Sequence, residues 1–228
     1  MVERLASNLQ FALVASYCAV AVLLTGCSGG QSLGSDATAE QRYDAGKASV
    51  ESEDYLAAIT HFETLLLQFP ASEVADDAQF YLAESYYNSE EYFTAAFQYS
   101  RVLTDFRGSP YYKRALFMTG ECYFAVSPKY HRDQKRTKRA MSQYDAFIGY
   151  FPDDSLAAVA RERIASLREK LAQRDFSVAE GYFDRDEFAA AVIYFKRLVD
   201  RYPNSRWAAE AMPLLGEAER RVAVEDSE

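Results

Sequence analysis

From residue 40 onward the apolar positions recur at helical spacing, and no stretch shows the strict alternation of a half-buried strand. The pattern predicts an all-α chain, and it repeats. Ala58, Phe62, Phe69 and Ser72 return 37 residues later as Ala95, Tyr99, Phe106 and Ser109. The same order comes back as Ala140, Tyr144 and Phe151, and again as Ala191, Phe195 and Tyr202. The phrases QFPAS, YFPDDS and RYPNS close three of these segments, while DFRGS closes the fourth without a proline. Pro70, Pro152 and Pro203 are expected to stop helices, because a proline has no N–H to continue the ladder.

Each repeated helix has a predicted partner before it. Gly46, Ala83, Gly120 and Gly216 mark positions where a neighbouring helix is expected to approach closely. The order of small residue, aromatic, Ala and aromatic, as in Ala83, Tyr86, Ala95 and Tyr99, resembles the tetratricopeptide repeat. One such helix pair cannot bury its apolar stripe alone, so neighbours must stack. The expected fold is a right-handed α-solenoid of about five tetratricopeptide-like helix pairs over residues 40–221, the last incomplete. Residues 222–228 are expected to fray. SPKYHRDQKRTKR fills an insertion between Gly120 and Ala140. SLAAVARERIASLREKLAQRDFSVAEGYF reads as one long helix with a possible break near Asp175, followed by a turn at residues 184–187. Pro213 predicts a kink or a delayed start in the final helix.

The N-terminal pattern is different. FALVASYCAVAVLL, residues 11–24, is a mostly apolar run roughly 21 Å long as a helix, short for a ~30 Å hydrocarbon core. It reads as the apolar region of an export signal. Leu24-Thr25-Gly26-Cys27 follows at once and resembles the lipobox of bacterial lipoproteins. By that resemblance residues 1–26 are removed and Cys27 carries the lipid, several acyl chains on one residue giving stable anchoring. Ser28 at the next position favours the outer membrane by the same resemblance. Residues 27–39, rich in Ser, Gly and Ala, are expected to form a flexible tether.

Composition narrows the function classes. With 25 Lys and Arg against 34 Asp and Glu, the 228-residue chain carries a net charge of −9, which disfavours duplex nucleic acid as a partner. An apolar fraction of 49% with six prolines is that of a folded core rather than a disordered chain. Cys18, Cys27 and Cys122 have no metal-ligand spacing, and Cys122 in LFMTGECYF is expected to be a buried core residue. His61 and His131 lie in different repeats without acidic or thiol partners at ligand spacing. With no phosphate loop and no nucleophile elbow, neither an enzymatic activity nor a metal or other cofactor is expected. Asp76-Asp77 and Asp153-Asp154 are expected at helix starts, where carboxylates meet the positive end of the dipole.

The lipobox-like motif, tether and repeats together resemble the BamD family, outer-membrane lipoproteins of the β-barrel assembly machinery. ITHFETLLLQFP, ADDAQFYLAESYYNSEEYFTAAFQYSRVL, SPKYHRDQ, LREKLAQRDFSVAEGYF and AAVIYFKRLVDRYPNS carry the resemblance. It implies a non-enzymatic scaffold on the periplasmic face of the outer membrane. The implied partners are a BamA-like barrel subunit, other assembly lipoproteins and unfolded outer-membrane proteins. The C-terminal repeats are implied to meet the barrel subunit, with Tyr194, Lys196, Arg197 and Arg201 as candidate contacts. The competing reading is a periplasmic tetratricopeptide scaffold that coordinates cell-wall synthesis with the envelope.

A peptide groove is the sharper expectation for the N-terminal repeats. Tyr43, Phe80 and Phe117 share one register on the first helices, with Tyr87 and Phe124 two turns further along. Lys47, Glu84 and Glu121 lie between them, and Arg114 one turn earlier. Aromatic sockets beside Arg114 or Lys47 suit an extended peptide with an aromatic residue and a free carboxylate. The alternative is that the rings pack against adjacent helices. Residues 129–139 hold six Lys or Arg and one Asp, a local reversal of charge suited to an acidic partner or lipid headgroups, or merely solvated.

Overall fold

The computed structural model describes residue 34 and residues 36–225. The proposed signal segment 1–26, Cys18, the lipidation site Cys27 and most of the tether lie outside the described residues. Two units divide the chain, one ending at Thr38 and one beginning at Ala39. In the first, the Ala37 N–H donates to the Gly34 carbonyl at 3.3 Å.

The second unit holds nine helices among the described residues, and no strand. They are α1 (Ala39–Glu51), α2 (Tyr55–Gln68), α3 (Ala75–Asn88), α4 (Tyr92–Asp105), α5 (Tyr112–Ala125), α6 (Lys135–Tyr150), α7 (Ser155–Phe183), α8 (Phe188–Arg201) and α9 (Arg206–Glu225). Consecutive helices pack against each other throughout, and α1 also meets α3, α5 meets α7, and α7 meets α9. Four helix pairs and a final unpaired helix make up the expected α-solenoid with its incomplete fifth repeat.

Each pair has its own core, organised by the repeated Ala and aromatic residue. Ala58 with Phe62, Ala95 with Tyr99, Ala140 with Tyr144, and Ala191 with Phe195 are all fully buried, one couple in each of four apolar clusters. The small residues receive these rings. A methyl at Gly46 would stand 2.6 Å from Phe62, and one at Gly120 would stand 2.8 Å from Tyr144. Gly216 departs from the expected pattern, since a methyl there would meet nothing within 4 Å. Among the described residues no helix follows this last one to press against it. In the fourth repeat the matching small residue is Ala179, fully buried inside the long helix.

The second helices stop in one shared way. Phe69, Phe106, Phe151 and Tyr202 cap α2, α4, α6 and α8 with φ between −127° and −135° and ψ between 54° and 61°. Each donates its backbone N–H to the carbonyl four residues back. Phe106 does so before Arg107 rather than a proline, so the docked ring sets the stop, and proline reinforces it. Within a pair, Glu53, Glu90 and Asp186 turn the chain at φ near 60°, a left-handed conformation uncommon outside Gly, Asn and Asp. The α5–α6 connection instead carries the inserted residues 126–134.

The long helix is continuous over 29 residues, about 43 Å, without the expected break at Asp175. Its first half places Ala157, Ala160, Ile164 and Leu167 in the core beneath α5 and α6. Its second half places Ala172, Phe176 and Ala179 in the core shared with α8 and α9. Asp175 is buried and ion-paired with Arg201 at 3.5 Å, which removes the reason to break the helix there. Pro213 is also absorbed inside α9, whose start at Arg206 is not delayed. That helix continues to Glu225, with Val222 packed on the last core.

Candidate partner-binding surfaces

The first-helix face is built around a motif that occurs twice. In the second repeat, Glu84 of α3 accepts the Tyr99 hydroxyl of α4 at 2.8 Å and lies 3.8 Å from Arg114 of α5. One repeat later, Glu121 of α5 accepts the Tyr144 hydroxyl of α6 and is held by Arg163 of α7. A carboxylate thus links its own pair to the next. Burial, together with the adjacent carboxylate, pushes the Tyr99 and Tyr144 phenols far above their ordinary range. The hydrogen bond to Glu121 raises the Arg163 guanidinium further. Phe62 and Phe195 replace these tyrosines in the outer repeats, so the motif is confined to the middle of the array.

This arrangement corrects the expected groove. Phe80 is buried, with its ring stacked on Tyr111 at 4.3 Å and 15°. Phe117 is buried against Tyr144 and Phe147, at 5.9 and 5.4 Å. Both rings serve inter-helix cores, because the closely approaching small residues draw neighbouring helices over them. Tyr43, Tyr87 and Phe124 remain partly exposed. Lys47 sits 3.6 Å above the Tyr81 ring, and Arg163 lies 4.5 Å from the Phe124 ring. Arg114 projects with 58% of its side chain exposed. Arg163 was not among the residues singled out from the sequence; its signal is a cation on the first helix of the following repeat, as at Arg114.

Of the C-terminal candidates, Tyr194 and Arg197 share one surface. Tyr194 stacks on Tyr182 of α7 at 4.7 Å and 13°, with Arg197 4.4 Å above it and Arg185 4.9 Å from Tyr182. The exposed Ile193, Lys196, Arg197, Asp200 and Arg201 line a shallow depression of about 580 Å³. Lys196 is ion-paired with Glu219 at 2.8 Å, and Arg201 with Asp175. Sequence reading missed Tyr182, Arg185 and Ile193, although Tyr182 lies in the same VAEGYF phrase that marks the long helix.

The basic stretch splits in two. Residues 129–134 are loop, whereas Lys135, Arg136, Lys138 and Arg139 stand in the first turns of α6. Gln134, buried beneath the loop, donates through Nε2 toward the carbonyls of Lys129, Tyr130 and Arg132 at 2.8, 3.1 and 2.8 Å. Its Oε1 accepts from Thr137, which bonds Ser127, and Ser127 receives the Lys170 ammonium of α7 at 2.8 Å. Burial holds that ammonium below its ordinary range. The insertion is thereby tied to the long helix.

Cys122 is fully buried, and burial pushes its thiol up to about 12, which suits a core residue rather than a nucleophile. Asp154 caps α7 by accepting the Leu156 N–H at 2.9 Å and also holds Lys113. Asp76 and Asp77 stand in the first turn of α3, where Val74 occupies the cap position. His61 is partly buried, and burial lowers its imidazole. Among the described residues no cluster of His, Cys, Asp and Glu could hold a metal ion, and no helix is long and apolar enough to cross a membrane.

The chain is 23% identical over 216 residues to the outer membrane protein assembly factor BamD of Pasteurella multocida, covering 90% of this chain and 83% of that protein. It is 23% identical over 218 residues to the BamD of Vibrio cholerae, covering 90% and 89%. Against the BamD of Neisseria gonorrhoeae it is 24% identical over 197 residues, covering 82% and 74%. The YfiO family model, described as outer membrane lipoprotein, matches residues 35–228, and the chain belongs to that family.

Proposed function

We propose that this protein is a lipid-anchored, non-enzymatic scaffold for the assembly of outer-membrane β-barrel proteins. The observation that carries the proposal is the family match along the whole repeat array, with relatives named as outer membrane protein assembly factors. Cys27 bears the anchor in this reading, residues 1–26 are its signal, and residues 27–38 are the tether that holds the array at the periplasmic face. The Tyr182, Tyr194, Arg185 and Arg197 surface binds the barrel subunit: stacked rings capped by guanidinium groups give a planar, cation-rich contact for an acidic and apolar partner. Unfolded outer-membrane proteins contact the first-helix face through Tyr43, Tyr87 and Phe124. Lys47 and Arg114 there attract a terminal carboxylate. Phe80 and Phe117 support that face from within.

Co-purification from detergent-solubilised membranes tests the proposal. Recovery of a large integral β-barrel subunit with the full chain is expected, and its loss with Arg197→Glu. Recovery of cell-wall synthases, or of no partner, overturns it.

A further inference from the structure

The basic segment touches a second unusual feature. Phe93 and Phe97 lie one turn apart on α4 and are 52% and 61% exposed, among the most exposed aromatic side chains described. Arg136 bridges the two features, its guanidinium 4.8 Å from the Phe93 ring. Around it, Lys129, His131, Arg132 and Lys135 line an open cleft of about 630 Å³ in which Asp133 is the one carboxylate. The backbone of this loop is fixed by Gln134. The cations are therefore held together rather than free to spread apart.

This concentration carries a folding cost. Lys135, Arg136, Lys138 and Arg139 all stand near the positive end of the α6 dipole, and no acidic residue occupies its first turn. Asp133 offsets this in part by accepting the Lys135 N–H at 2.8 Å, which with the neighbouring charges holds its carboxyl below the usual range. The rest of the chain is acidic, with a net charge of −9. An anionic layer would repel most of this molecule and attract it where these cations gather.

We infer that Lys129, Arg132, Lys135 and Arg136, together with Phe93 and Phe97, form a docking surface for an anionic phospholipid bilayer. The cations engage headgroup phosphates, and the two phenyl rings enter the interface below them. A membrane fits both halves of the patch: phosphates lie above hydrocarbon in a bilayer, as guanidinium groups here lie beside exposed rings. An acidic protein would satisfy the cations but would need a matching apolar pocket beside its carboxylates. The inference deepens the anchoring reading above and rests on it: a tethered array with one lipid-facing patch has a preferred orientation on the membrane.

The test uses the full lipidated chain carrying Phe97→Trp, reconstituted into vesicles of phosphatidylglycerol or of phosphatidylcholine, each with brominated acyl chains. The parent chain, whose only tryptophan is Trp207, supplies the background. The added indole should be quenched in phosphatidylglycerol and not in phosphatidylcholine. R132E/K135E/R136E, or the milder K129Q/R136Q should reversal disturb folding, should abolish the quenching while helicity at 222 nm stays intact. Quenching in neither lipid, with the protein still sedimenting with both, overturns the surface and leaves the anchor standing. Equal quenching in both lipids that survives charge reversal also overturns it. Failure to sediment with phosphatidylcholine overturns the anchor instead, and binding confined to phosphatidylglycerol vesicles then still supports the patch.

Discussion

Arg163 in α7 grips the carboxylate of Glu121 in α5 with Nε at 3.1 Å and a terminal nitrogen at 3.3 Å, across 42 positions of sequence. The same carboxylate accepts the hydroxyl of the fully buried Tyr144. One half-buried anion therefore joins three helices. Removing it with Glu121→Ala leaves a buried hydroxyl and a guanidinium unsatisfied, a cost of about 2 kcal/mol. The midpoint of thermal unfolding should fall by about 4–8 °C. Tyr144→Phe should cost only about 1 kcal/mol, because phenylalanine fills the equivalent place at Phe62 and Phe195. Thermal melts followed at 222 nm check the order; equal effects of the two substitutions would show that the carboxylate does not join the repeats.

Two glycines in equivalent sequence positions should respond with opposite sign. Gly120→Ala forces a methyl to within 2.8 Å of the Tyr144 ring, which is locked in the core. Overpacking of this kind costs about 1–3 kcal/mol. Gly216→Ala meets nothing within 4 Å and gains the helix propensity of alanine, about 0.5–1 kcal/mol. Chemical denaturation of both variants reads the difference directly. A loss of stability at Gly216→Ala would mean that something presses on α9 there.

These glycines also mark what sequence could and could not convey. The Ala and aromatic repeat placed all four cores, since a buried ring and the small residue receiving it must recur wherever helices stack. Gly216 shared the spacing without the neighbour that gives it meaning. Phe80 and Phe117 were correctly placed on the first helices, yet their periodicity could not distinguish a ring facing solvent from one covered by Tyr111 or Phe147. The continuity of α7 past Asp175 was hidden for a similar reason. Its stabilising partner, Arg201, lies 26 residues away and belongs to a different helix.

Several tyrosines give the fold an alkaline limit. Burial raises the Tyr43 and Tyr86 phenols to about 12, and drives Tyr99 and Tyr144 higher, with Glu84 and Glu121 adding to the effect. A folded-state value above the unfolded one of about 10 means the stability is fully present below pH 10. It is lost as the pH rises from there toward the folded values, because the unfolded chain releases its protons first. Tyrosinate absorbance near 295 nm should therefore appear together with loss of helicity at 222 nm. The double variant Tyr99→Phe/Tyr144→Phe should be somewhat less stable at neutral pH but lose less stability above pH 10. Gradual ionisation at unchanged helicity would contradict the burial argument.

Glu90 ends the second repeat's first helix in a left-handed conformation, at φ 62°, with its side chain exposed. That conformation costs roughly 1–2 kcal/mol for a residue with a Cβ. Glu90→Gly removes the clash and gives back part of the gain as unfolded-state entropy, leaving a net stabilisation of about 0.5–1 kcal/mol. The unfolding midpoint should rise by a few degrees. A fall in stability would show that the Glu90 side chain supports the turn.

The buried Gln134 is the best place to separate the shape of the basic insertion from its charge. Its amide nitrogen serves carbonyls at three loop positions, and its oxygen accepts from Thr137 at 2.7 Å. Gln134→Ala leaves every cation in place but removes the nail beneath them, at a local cost of about 2 kcal/mol. Hydrogen exchange of the amides in residues 129–134 should then quicken roughly thirtyfold, with the cores of α1 to α4 unaffected. If the loop's function depends on held geometry, lipid-dependent quenching at position 97 should weaken in this variant although its net charge is unchanged. Exchange that stays slow would mean that Lys170 and Ser127 alone hold the insertion against the long helix.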